Sequence, residues 1–168
     1  RNRDGWSGKW NKEMYRPVLE DANVSSTKIL TIDNPINNLS NSKIYKVNYQ
    51  KKYNGGELSG HNQFNHFLSE SGRSYSIDIS SPLKSEKSCS RLSPYITFGN
   101  LSIRQIIQAT RNRQAELRAI KSRDGWLKSL SAFSSRLRWH CHFIQKLEMQ
   151  PDLEYTNMVR AFDGIRDN

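Results

Sequence analysis

Two short stretches hold the side chains best suited to chemistry. In Ser88-Cys89-Ser90-Arg91-Leu92-Ser93-Pro94-Tyr95, four small hydroxyl or thiol side chains surround one arginine just before a helical region. Hydroxyls and free backbone N–H groups near a helix start bind phosphate oxygens, and a guanidinium adds charge and planar donors. A Ser-rich capping loop has the same composition, so the pattern alone is a weak signal. The second stretch centres on Trp139. Turning 100° per residue from Leu130, the stripe Trp126, Leu130, Phe133, Leu137, Cys141 and Ile144 lies within about 60° of one direction. Trp139 falls on the opposite side, with Arg136 and Phe143 close to it and His140 at the border. A surface helix is polar there. Aromatic and cationic groups together suit a stacked base beside phosphates; the plainer alternative is packing against another part of a larger protein.

The elements that must hold these residues are helical. Trp6, Trp10 and Met14 are four apart, which predicts a short amphipathic helix. Residues 20–55 are rich in Asn, Ser, Lys and Asp, with Pro35 and the turn signal Asn54-Gly55-Gly56, and read as a long connector. Within it, the run 28–32 could form a strand, with no obvious partner. From Ser59 the pattern turns helical: Phe64, Phe67 and Leu68 share a face that ends near Gly72. Residues 73–88 read as polar and irregular, with Tyr75, Ile77, Ile79 and Pro82 as possible anchors. Ser102 is the expected N-cap of a helix near 102–120, whose inner side is Ile103, Ile106, Ile107, Thr110 and Leu117. A longer helix, near 125–148, starts after Ser122 or Asp124 and carries the Leu130 stripe, the strongest helical signal in the chain. A short helix follows Pro151. The tetrapeptide Arg-Asp-Gly-Trp occurs at 3–6 and at 123–126; it is too short to be a repeat and reads as helix-start chemistry with Asp as cap.

Composition narrows the partner. The 168 residues carry a net charge of +10, and only 35% are hydrophobic. A mean hydropathy of -0.80 is polar for a self-sufficient globule. That leaves a partly disordered chain, a nucleic-acid binder, or a piece of something larger. Four tryptophans argue against full disorder, and the charge favours an anionic partner, most commonly DNA or RNA phosphate. Cys89 and Cys141 lack metal-ligand spacing, and His140, Cys141 and His142 point in three directions on a helix, so no metal is expected. Two free thiols fit a reducing compartment, here taken as cytoplasmic. No segment has the apolar length to span a bilayer, and no signal-peptide pattern is present. The opening Arg1-Asn2-Arg3 reads as the start of an excised fragment.

The run Ser90-Arg91-Leu92-Ser93-Pro94-Tyr95 followed by Phe98-Gly99-Asn100-Leu101-Ser102-Ile103-Arg104 resembles the flavin-domain motif of the DNA photolyase and cryptochrome family. That motif reads roughly Thr-Ser-Arg-Leu-Ser, then apolar-apolar-x-Gly-x-Leu-Ser-x-Arg. About 45 residues on, Arg136-Leu137-Arg138-Trp139-His140-Cys141-His142-Phe143 resembles the family's Glu-Leu-x-Trp-Arg-(Asp/Glu)-Phe-(Phe/Tyr) helix, and 144–148 is similar to a subset of bacterial members. The resemblance covers 59–168 and is weaker over 1–58, which is similar to the connector ahead of the flavin domain.

The resemblance implies a mainly α fold: the N-terminal half of a helical FAD-binding domain (59–168) behind a connector and the start of the helical region (1–58). It implies FAD as cofactor, ultraviolet-damaged DNA as partner, a monomer, and a light-driven lyase that splits pyrimidine dimers flipped out of the duplex. By position, Tyr75, Cys89, Ser90, Arg91, Leu92, Ser93 and Phe133 would contact FAD. Trp139 would wall the flipped lesion, with Arg136, His140 and Phe143 nearby. Cys89 stands where Thr is usual, Arg136 where repair enzymes usually have Glu, and His140 where Arg is usual. These departures weigh against dimer repair more than against flavin binding, and keep open a cryptochrome-type photoreceptor without repair activity. A plain helical DNA-binding module would leave 90–93 unexplained. Asn168 falls before the family's later flavin contacts and electron-relay tryptophans, so tight FAD binding and activity are not expected of these residues alone.

Overall fold

The computed structural model describes residues 5–19 and 54–165. Most of the 20–55 connector, including the 28–32 run, lies outside the described residues, as do 1–4 and 166–168. The described residues are mainly helical and contain no strand. None of their helices is long and apolar enough to cross a membrane.

Helix α1 (Trp6–Met14) buries Trp10 and Met14, as their spacing predicts. Its last carbonyls have no partners within the helix. Side chains of α6 (Ile103–Ala119) satisfy them: Gln108 Nε2 donates to Met14 O at 2.9 Å and to Arg16 O at 2.8 Å, and Arg104 Nε donates to Glu13 O at 3.2 Å. Helix α2 (Glu57–Ser69) buries Phe64 and Phe67. A 3-10 turn (Ser71–Ser74) leads into α3 (Tyr75–Asp78) and then α4 (Pro82–Ser88). Residues 73–88 are therefore helical, not irregular. Their helices are too short for apolar periodicity to register, and Pro82 sits in the first turn of α4, where its missing N–H is harmless. Of the four expected anchors, Tyr75 is buried and Ile79 packs on the core, whereas Ile77 and Pro82 are exposed.

A short α5 (Ser93–Thr97) precedes α6. Ser102 caps α6 in a full capping box with Gln105, as the sequence predicts. The helix ends in a Schellman turn: Lys121 adopts the left-handed region at φ 52, Ser122 N donates to Leu117 O, and Lys121 N donates to Arg118 O. The chain then enters α7 (Trp126–Met149). The cap residue is Gly125, at φ 93, and Asp124 Oδ1 accepts from Trp126 N at 3.3 Å, so the aspartate caps from one position further back than expected.

The core sits between α2, α3, α6 and α7. Phe67, Tyr75 and Phe133 form its centre, with ring centroids 4.7–5.8 Å apart; Tyr75 meets both phenylalanines edge to face, and the two phenylalanine rings are tilted against each other. Each such side chain, fully buried, contributes about 1.5–3 kcal/mol. Around them lie Ile106, Ile107, Leu117, Leu130 and Leu137. The α7 stripe is buried only as far as Leu137. Cys141 is half-buried and Ile144 is 55% exposed; Trp6 of α1 meets the second half of α7 at His142 and Gln145.

Candidate functional site

The loop between α4 and α5 carries the phosphate-type residues. Leu92, 1% exposed, pins it to the core. Gln63 Nε2, on α2, donates to Ser90 O at 3.0 Å, and Tyr95 Oη donates to Asn54 O at 2.8 Å. Ser88 Oγ donates to Asp78 Oδ2 at 2.6 Å and ties α4 to α3. Between these anchors Arg91 adopts φ 55, a left-handed conformation that costs a non-glycine residue roughly 1–2 kcal/mol. Strain of this kind persists where the surroundings over-determine it, and it concentrates at functional sites.

Arg91 and Cys89 line an open cavity of about 680 Å³. That volume is within the usual range for small-molecule sites. Its other walls are polar: Asn62, Gln63 and His66 from α2, Ser71, and Glu86 and Lys87 from α4. Ser71 Oγ is buried there with no hydrogen-bond partner. Burial pushes the Cys89 thiol up from its ordinary range, and Arg91 offsets part of the shift. Cys89 is therefore a neutral, weak donor and a poor nucleophile at neutral pH.

The seven residues assigned to a cofactor by resemblance separate into two groups. Cys89 and Arg91 line the cavity, Ser90 is half-buried and does not line it, and Ser93 is exposed at the start of α5. Leu92, Tyr75 and Phe133 are core residues and do not line it. Burial raises the Tyr75 phenol to about 12, with Cys89 adding to the shift and Arg136 opposing it. Tyr75 thus keeps its proton and cannot act as a base. Gln63, His66, Ser71 and Lys87 were not singled out from sequence. His66 lies on the polar face of α2 away from Phe64 and Phe67, and Gln63 borders their apolar face, so helical spacing could have placed both.

The four residues assigned to a lesion do come together. Trp139 and Phe143 are 53% and 54% exposed and meet edge to face, with centroids 6.4 Å apart. The Arg136 guanidinium lies 4.6 Å from the Trp139 ring centre, and His140 is exposed beside them. His142 links this group to α1: its ring meets Phe143 edge-on at 5.8 Å and the Trp6 ring edge-on at 5.4 Å. An exposed ring with a guanidinium over it can stack on a base while the cation meets phosphate.

Compared with protein-family models, with curated proteins and with solved structures, the chain matches none of them.

Proposed function

We propose that these residues form the front of a helical FAD-binding domain whose function is light-driven repair of pyrimidine dimers in DNA. The observation that carries the reading is the strained loop: Cys89 and Arg91 of the photolyase-like motif line a large open cavity. The cavity fits the phosphate part of FAD. Arg91 and Lys87 supply charge, and the orphaned Ser71 hydroxyl supplies a donor that lacks an acceptor. Tyr75 and Phe133 offer a flavin ring no open face, since both are enclosed in the core. When bound, FAD supplies the photochemical electron transfer that splits a dimer. This chain's own residues bind and orient. Arg91 holds phosphate, Trp139 presents a stacking face to an extruded base, and the basic surface holds the DNA backbone.

A cryptochrome-type photoreceptor is the second reading. It is favoured by Arg136, whose guanidinium lies over the Trp139 ring where a repair enzyme of this family usually has a carboxylate nearby. The test is to purify the protein with its natural flanking sequence, record its visible absorption, and illuminate it with ultraviolet-irradiated oligonucleotide. The repair reading predicts a flavin band and light-dependent loss of dimers. A flavin band without dimer loss supports the photoreceptor. A folded protein without flavin contradicts both.

A further inference from the structure

A second cavity, of about 260 Å³, lies where α1, α6 and α7 meet, and it shares no residue with the cavity at Arg91. Helix α6 gives it Arg111 and Arg118, helix α7 gives it Ser134 and Arg138, and α1 gives it Trp10. Among the described residues, no aspartate or glutamate lines it. Four of the lining side chains carry buried polar atoms with no hydrogen-bond partner: Trp10 Nε1, Arg111 Nη1, Ser134 Oγ and Arg138 Nε. Trp10 is 5% exposed, so its indole N–H has no recourse to bulk water.

These orphans share one character. An indole N–H and guanidinium N–H groups only donate, and a serine hydroxyl can. Buried donors left unmatched are costly, and the cost is greatest for charged groups. The side chains are also held in place. Arg111 Nη2 donates to Asn11 Oδ1 at 2.9 Å, and its guanidinium lies 4.0 Å from the Tyr15 ring centre. Arg138 lies 5.1 Å from the Trp10 ring centre. Those contacts use one edge or face of each cation and leave Arg111 Nη1 and Arg138 Nε over. A group that accepts several hydrogen bonds and carries negative charge answers both needs at once.

We propose that this cavity is an oxyanion site that takes a phosphate group. Arg111 and Arg138 supply charge-assisted bonds, Trp10 Nε1 and Ser134 Oγ supply neutral ones, and Arg118 adds charge at the rim. At about 30 Å³ per water, the cavity has room for a phosphate and part of its hydration shell. The phosphate can belong to a small ligand or to a nucleic-acid backbone; the chemistry of recognition is the same. The site does not depend on the flavin reading.

The Trp10 indole proton is the reporter. It is assigned in a nitrogen-15 NMR spectrum of the whole chain by its loss in Trp10→Phe. Inorganic phosphate is then titrated at constant ionic strength set with chloride. The proposal predicts a saturable downfield shift of that proton. Arg111→Gln and Arg138→Gln should each weaken phosphate by about tenfold or more. Ser134→Ala, which removes a donor and no charge, should weaken it about threefold and guards against a variant that does not fold. A shift that fails to saturate, or binding that survives in the folded variants unchanged, overturns the site. A short undamaged DNA duplex distinguishes the sources. If it moves the same proton and competes with phosphate, the ligand is a backbone phosphate. If it leaves that proton unmoved while phosphate saturates, the ligand is a small phosphate compound.

Discussion

Replacing Trp139 by alanine separates a binding role from a packing role. The ring is 53% exposed, and its contacts are the Phe143 edge at 6.4 Å and the Arg136 guanidinium at 4.6 Å. An exposed cation–π pair is worth about 0.5–1 kcal/mol, and an edge-to-face pair contributes on a similar scale. Trp139→Ala should therefore cost the fold roughly 1 kcal/mol and lower its melting temperature by a few degrees. Stacking of one base on an aromatic ring is worth about 1–3 kcal/mol, so affinity for dimer-containing DNA should fall about 5- to 150-fold. On the proposed reading undamaged DNA would be held through its phosphates, so it should bind as before, with the same salt dependence. Thermal denaturation followed by fluorescence anisotropy on irradiated and unirradiated duplexes of one sequence measures all three quantities. Equal weakening on both duplexes with the fold intact would remove Trp139 from lesion recognition. Loss of the folded state would show that the ring is structural.

Three further substitutions or conditions probe the scaffold. A Cβ on Gly72 would lie 2.5 Å from Phe67 O, a backbone atom that cannot step aside, so Gly72→Ala should destabilise by about 2–3 kcal/mol in a urea titration. Ser129 is fully buried, its Oγ donating to Arg73 O at 2.5 Å and accepting from Ser76 N at 3.2 Å; Ser129→Ala strands both partners and should cost about 1–3 kcal/mol, against no change if water replaces the hydroxyl. Because burial raises the Tyr75 phenol from 10.0 to about 12, its contribution is complete below the ordinary value and is lost as pH rises through the folded value. Unfolding free energy should fall by up to about 1.4 kcal/mol per pH unit across that window, and the fall should flatten in Tyr75→Phe; an identical slope in both proteins would show that Tyr75 titrates normally.

What the sequence made legible follows from how far each signal extends. Helices α6 and α7 were found because their inward-facing positions share one helical face over three turns or more, from Ile103 to Leu117 and from Trp126 to Leu137. Ser102 was legible as a cap because its effect is local. The helices within 73–88 were not, since one or two turns carry too few apolar positions to set a period. Ile144 was read as core because periodicity reports which face of α7 a residue shares, not whether another element reaches it. The same distinction explains Trp139, whose position off the core stripe was visible in the spacing. The cavity partners His66 and Lys87, and the arginines around Trp10, depend on contacts between helices far apart in sequence, which no local pattern encodes.

On the proposed function, the loop at 89–93 would hold the phosphates of FAD, with Arg91 as its cation. The direct measurement is FAD occupancy after exhaustive dialysis, in the protein with its natural flanking sequence, for the wild type and for Arg91→Ala. A charge-assisted bond of about 1.5–3 kcal/mol predicts at least a tenfold loss of affinity in the variant, with the fold retained by circular dichroism. Equal flavin occupancy in the two proteins, or none in a folded wild type, would contradict it.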